Sequence, residues 1–121
     1  MKPETIKIDD TEYVRKDSQE KYAQTLEGKP YVICRTQSAG VFSGYLHERN
    51  GQEVTLKRAR RLWYWKGAAS LSQAAMEGFS APKECKFPCE VTLLSVLQAI
   101  EILYCTERAQ KSIELVPVWK A

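Results

Sequence analysis

Long apolar runs are what this chain most plainly lacks. No stretch approaches the roughly 18 consecutive apolar residues that a membrane helix requires, so a membrane-spanning role is not expected. Histidine is nearly absent. The single copy, His47, stands beside Glu48, and any catalytic dyad would have to use it. Carboxylates are scattered rather than paired, no Walker loop is present, and no glycine fingerprint opens a helix. These gaps leave little for bond breaking. We expect a protein that is not an enzyme, with no cofactor, no metal and no catalytic residues.

Cysteine supports the same reading. Of four cysteines, Cys34 follows Tyr31-Val32-Ile33 and Cys105 follows Ile102-Leu103-Tyr104, so both read as small buried hydrophobes. Cys85 and Cys89 form C-x-x-x-C around Lys86-Phe87-Pro88, a spacing that fits no zinc site well. Met1–Lys7 lacks the apolar core of a secretory signal, which suggests the cytoplasm, where disulfides are not expected.

What is present is a concentrated charge. Residues 1–29 hold six cations and seven anions, and residues 67–121 hold five and six, each a net of −1. Residues 30–66 hold seven cations (Arg35, Arg49, Lys57, Arg58, Arg60, Arg61, Lys66) against two anions, a net of +5. Lys57–Lys66, KRARRLWYWK, sets five of these cations beside three large aromatics within ten residues. Guanidinium forks grip phosphates bidentately and aromatic faces stack on bases, so the mixture suits a nucleotide or nucleic acid. The plainer reading is a basic, half-buried strand with core aromatics and solvated charges. A long duplex usually needs a broader basic footprint, which favours a compact anionic ligand.

The organisation is that of one small α+β domain: an N-terminal antiparallel β-meander followed by C-terminal helices. With 121 residues, 44% of them hydrophobic, the chain can bury a modest core. Residues 1–29 read as an arm, with a possible edge strand near 5–14 and a loose or weakly helical stretch through 17–28; residues 30–121 read as the domain. Tyr31–Thr36 and Gly40–Glu48 are strand signals joined by a tight turn at Ser38-Ala39-Gly40, and Asn50-Gly51 marks a hairpin. The third strand is expected from Glu53 to about Trp65. Its two alternating sets swap apolar and charged positions midway, which predicts a bulge near 58–61 on which the arginines converge.

Ala68–Met76 looks helical, capped by Ser70 and stopped by Gly78. Cys89–Leu97 is open between strand and helix because the run is too short for periodicity to decide. Ile100–Tyr104 alternates as a strand, and Thr106 is a good N-cap for Glu107–Leu115. Val116–Trp119 makes an apolar tail suited to docking on its own surface or a partner's.

The blocks Arg35-Thr36-Gln37-Ser38-Ala39-Gly40-Val41-Phe42-Ser43-Gly44-Tyr45-Leu46 and Ala59-Arg60-Arg61-Leu62-Trp63-Tyr64-Trp65-Lys66-Gly67-Ala68, then Ser70-Leu71, resemble a family of small phage and prophage proteins. They look similar to the Thoeris anti-defence sponge proteins of the first type. The resemblance covers residues 30–75, and more loosely the chain through Glu107. It implies an inert trap for cyclic ADP-ribose isomers made by TIR-domain enzymes, in some members also for cyclic oligonucleotides. It further implies a homo-oligomer, a dimer or an assembly of dimers, in the cytoplasm of a host bacterium.

A cyclic ADP-ribose carries a pyrophosphate and an adenine face. Arg35, Arg58, Arg60 and Arg61 are the phosphate candidates. Trp63, Tyr64 or Trp65 would stack the base, with at least one of them core. Thr106 and Arg108, at a helix start, are candidates for a second anion site. Two other binding classes remain open: a small-barrel nucleic-acid module, since Val32–Trp65 would also serve as an Sm- or SH3-like core, and an inhibitor whose basic patch docks on an acidic host protein.

Overall fold

The computed structural model describes residues 21–121, and the strand expected near 5–14 lies outside them. The elements are β1 (Tyr31–Thr36), β2 (Val41–Asn50), β3 (Glu53–Arg61), α1 (Leu71–Glu77), β4 (Val91–Val96), β5 (Ala99–Tyr104) and α2 (Glu107–Leu115). All neighbouring strands are antiparallel, in the order β4-β3-β2-β1-β5. A meander of β1, β2 and β3 is thus extended on both flanks by strands that follow α1, and α2 closes the fold. The α+β reading holds. The open run Cys89–Leu97 is strand β4. No helix among the described residues is long and apolar enough to cross a membrane.

The outermost strands, β4 and β5, are consecutive in the chain and joined only by Leu97-Gln98. A sheet whose two edges are tied by so short a link must curl. One face accordingly gathers a core from all five strands: Val32 and Cys34, Phe42, Val54, Leu56 and Ala59, Val96, and Ala99. The other face carries a second core, in which Ile33 and Leu62 meet Ala74, Ala75, Phe79, Phe87, Cys105, Ala109 and Ile113 from the helical side. Phe87, Ile33, Leu56 and Ile113 are fully buried, and each such side chain stabilises the fold by about 1.5–3 kcal/mol.

The expected bulge is present. Tyr45 pairs with Lys57 and Ser43 with Arg60, so Arg58 and Ala59 face Gly44 alone. Arg58 takes φ 53, and a Cβ on Gly44 would sit 3.1 Å from Ala59 Cα. The missing side chain at 44 lets the bulged strand come close. The hairpin turn falls one residue later than expected. Asn50 pairs with Glu53, which leaves Gly51-Gln52 as the loop and gives the positive φ to Gly51 alone.

Both helix starts are capped as expected. Ser70 Oγ accepts from the Gln73 amide at 3.1 Å, and Thr106 Oγ1 accepts from the Ala109 amide at 3.1 Å. Two boundaries differ. Strand β3 ends at Arg61 rather than Trp65, because the chain turns off the sheet and Tyr64 bridges Lys86 instead. The weakly helical reading of 17–28 fails where it can be seen. Leu26–Lys29 is a two-residue turn with Glu27 and Gly28 both at positive φ, and Ala23 bonds the Cys105 carbonyl.

Candidate ligand-binding surface

The bulge splays the arginines instead of gathering them. Arg58 leaves the sheet toward solvent and meets Glu90 through two contacts of 3.3 and 3.4 Å, which raise its pKa. Arg61 turns back, donates to the Ala39 carbonyl and lies 4.5 Å from the centre of the Phe42 ring. Arg35, on β1, donates to Glu101 at 2.9 Å.

Arg60 is the exception, with only 7% of its surface exposed. Its Nε donates to the Pro88 carbonyl, Nη1 to Ile113, and Nη2 to Phe87, Val116 and Pro117, at 2.7–3.2 Å. A rigid fork of five N–H donors is suited to this task. Burial disfavours the charged form and lowers the Arg60 pKa, and its hydrogen-bond partners among the described residues are backbone carbonyls. Arg60 therefore ties the end of α2 and the tail to the loop at 87–88. Its donors are committed, and it is a structural clamp rather than a phosphate grip.

The aromatics divide too. Trp65 is partly buried, its ring 6.2 Å from Phe79 in the helical core. Trp63 is 56% exposed and lies flat on Trp119, itself 44% exposed, with centroids 4.6 Å apart and planes 18° from parallel. Lys86 Nζ stands 5.8 Å from the Trp119 ring centre and 5.9 Å from that of Tyr64, which is also exposed. Two backbone bridges hold this group. Tyr64 and Lys86 exchange bonds of 3.2 and 2.7 Å, Phe87 bridges Val118, and the Trp119 amide donates to the Phe87 carbonyl at 2.9 Å.

An open cleft of about 530 Å³ runs between β2–β3 and α2 and is lined by Tyr31, Tyr45, Arg58, Arg60, Glu90 and Glu114 among others. Two arginines there are matched by two glutamates, so the cleft offers no excess positive charge. Thr106 and Arg108 form no distinct anion site. Thr106 is buried and its hydroxyl donates to the Met76 carbonyl at 2.7 Å while capping α2, and Arg108 lies 3.9 Å from Glu77.

Of the nine candidate residues, the structure thus brings Trp63 and Tyr64 together on one exposed surface. Lys86 and Trp119 complete that surface and were not among the candidates. The apolar tail ending at Trp119 was the one signal in the sequence that could have found it. Among the described residues no group of three or more His, Cys, Asp or Glu comes together.

These features define a class: a small curled five-stranded sheet with a helical layer, presenting an aromatic and cationic surface where β3 leaves the sheet. Residues 29–113 match the model of a domain of unknown function, DUF6948, and the chain belongs to that family. No curated protein and no solved structure matches the chain.

Proposed function

We propose that the protein is a non-catalytic sponge that binds and sequesters a cyclic nucleotide, with cyclic ADP-ribose isomers and cyclic oligonucleotides as the candidate ligands. The observation that carries this reading is the Trp63–Trp119 stack with Lys86 beside it. Two indoles left in water, held rigid by backbone bonds and flanked by a cation, suit a base and its phosphate. The site is accordingly reassigned: Trp63, Tyr64, Lys86 and Trp119 hold the ligand, and Arg60 supports them from beneath. In the setting implied by the sequence resemblance, sequestration would starve a host defence effector of its signal.

The non-catalytic part has its own support. Cys34, Cys85 and Cys105 are buried with raised pKa values, and His47 is the single histidine. Glu27, Glu84, Glu90 and Glu101 each pair with a cation. A basic patch for an acidic host protein is less well supported, because Arg35, Lys57, Arg58 and Lys66 all lie in those pairs and Arg60 is buried.

One observation favours a second reading. The strand order β4-β3-β2-β1-β5, with its ends tied by two residues, is the connectivity of the small barrels that bind nucleic acids. Thermal-shift assays separate the two. A cyclic ligand at about 100 times Kd should stabilise the fold by roughly 2.7 kcal/mol, and should be recovered intact after heating. Binding to single-stranded DNA or RNA that falls steeply with salt, with no shift from any cyclic species, would replace the sponge by the nucleic-acid module.

A further inference from the structure

The cleft between β2–β3 and α2 supports an inference independent of the aromatic surface. Its volume of about 530 Å³ suits a small organic molecule, and its lining divides by depth. The floor is largely apolar, with Tyr31, Ile113 and Val116 all buried. Tyr45 stands edge-on to Tyr31, their ring centres 5.0 Å apart. The mouth is charged, and its Arg58, Glu90 and Glu114 are all exposed.

The groups with hydrogen-bonding capacity left decide the ligand. Arg60 is engaged with backbone carbonyls, and the Tyr31 hydroxyl donates to Ser43 at 3.0 Å. Among the described residues, three lining groups keep capacity. Arg58 reaches Glu90 through Nε and Nη2, which leaves Nη1 as a donor. Glu114 has no ion-pair partner there. The Tyr45 hydroxyl accepts from Gln110 at 2.7 Å and retains its own proton. Burial chiefly raises the Tyr31 pKa, and the bond to Glu90 raises that of Arg58. The Glu114 charge adds a smaller push to both, so its field reaches the floor and the mouth alike.

Such a lining disfavours a ligand of one sign. An anion meets Glu90 and Glu114, and a cation meets Arg58 and the buried charge of Arg60. A molecule with one charge of each sign answers both, its carboxylate against Arg58 and Tyr45 and its ammonium against Glu114. The floor then takes an apolar body. The Arg58–Glu90 contacts, at 3.3 and 3.4 Å, are long and exposed, and a ligand carboxylate can share or displace them at little cost. Arg58 also holds φ 53, and backbone strain of that kind collects at ligand clamps.

We propose that this cleft binds a zwitterion, an α-amino acid or short peptide with an apolar side chain, its carboxylate on Arg58 and its ammonium on Glu114.

Titration calorimetry on the full chain tests this, with L-phenylalanine, L-leucine and the dipeptide leucyl-phenylalanine as probes. At least one should bind saturably at one site per chain. Binding of the single amino acids assigns the ligand to that source, and binding of the dipeptide alone assigns it to peptides. N-acetylation removes the ammonium and amidation removes the carboxylate, and each should weaken binding at least about tenfold. Glu114→Gln should lose the discrimination against the N-acetyl form, and Arg58→Gln that against the amide. If none of the three probes binds, the proposal is overturned. It is overturned equally if the N-acetyl form or the amide binds as tightly as the zwitterion, or if both variants keep full discrimination. Should a variant lose its fold, amide chemical shifts of wild type decide. Residues 45, 58 and 114 must move with the probe, whereas shifts confined to residues 63, 64, 86 and 119 overturn the assignment. Every readout concerns amino acids and peptides, so the result is independent of whether a cyclic nucleotide binds.

Discussion

Arg60 and Trp63 stand three residues apart and end in opposite environments. The guanidinium is buried against five backbone carbonyls, while the indole lies in water on a second indole. Hydrophobicity alone would reverse them. The difference lies in what each neighbourhood leaves unsatisfied. The carbonyls at the end of α2 and at residues 87–88 and 116–117 have few backbone donors, and a buried acceptor without a partner costs about 1–3 kcal/mol. A five-donor fork on β3 answers several at once. Trp63, beyond the end of β3, is left largely exposed and stacks on Trp119 of the tail. Burial therefore marks architecture here, and exposure marks the surface proposed to take the ligand.

The largest effect should come from the clamp. Arg60→Ala leaves several carbonyls short of a donor and frees the tail, so we expect a loss on the order of 3 kcal/mol. That corresponds to a fall of about 10 °C or more in Tm for a domain of this size. Lysine should not rescue it, since one ammonium cannot span acceptors on both 87–88 and 113–117. Urea unfolding measures this directly. A variant unfolding within about 0.5 kcal/mol of wild type would mean that water satisfies those carbonyls equally well.

Trp63→Ala sharpens the contrast from the other side. The stack with Trp119 should contribute about 0.5–1.5 kcal/mol by a double-mutant cycle, so the fold survives. Ligand affinity should fall at least about tenfold, since stacking one base is worth roughly 1–3 kcal/mol. Calorimetry with whichever cyclic nucleotide shifts the wild type provides the measurement. Full binding by the folded variant would move the site elsewhere.

Much of the fold was legible because its signals are local. Ser70 and Thr106 cap helices within three residues of themselves, and the alternation of Val54, Leu56 and then Ala59 shows the bulge within one strand. The site was less legible because its partners are distant. Arg60 meets carbonyls more than 25 residues away, and Trp63 meets Trp119 across 56 residues. A run of basic residues shows that charge is present, and only the tertiary fold decides which charges become internal. Strand β4, six residues long, is too short for its period to exclude a helix.

Arg58 offers a milder test. At φ 53 a residue with a Cβ is strained by roughly 1 kcal/mol, which glycine would relieve. Its exposed pair with Glu90 is worth about 0–1 kcal/mol. Arg58→Gly should therefore stay within roughly 1 kcal/mol of wild type in denaturant unfolding, whereas Arg58→Ala keeps the strain, loses the pair and should be less stable than Arg58→Gly. If Arg58→Gly is the less stable of the two, the bulge does not depend on a positive φ at this position.

The thiols give the smallest effect at neutral pH and extend the contrast to chemistry. The thiolate is the reactive form, and burial disfavours it. Cys34 and Cys85 are pushed up, and Cys105 is pushed up to about 12, while Cys89 is exposed. A thiol reagent at neutral pH should therefore label one of the four cysteines in the folded protein and all four in denaturant. The linkage has a definite sign. A thiol raised in the folded state holds its proton more tightly there, so its contribution to stability is complete below about pH 8.5, the unfolded value. That contribution is lost progressively as pH rises toward about 12 for Cys105. Cys105→Ala should lower stability at neutral pH by leaving a small cavity, yet flatten the alkaline decline. Parallel curves for wild type and variant above pH 9 would show that Cys105 titrates as freely in the folded chain as in the unfolded one.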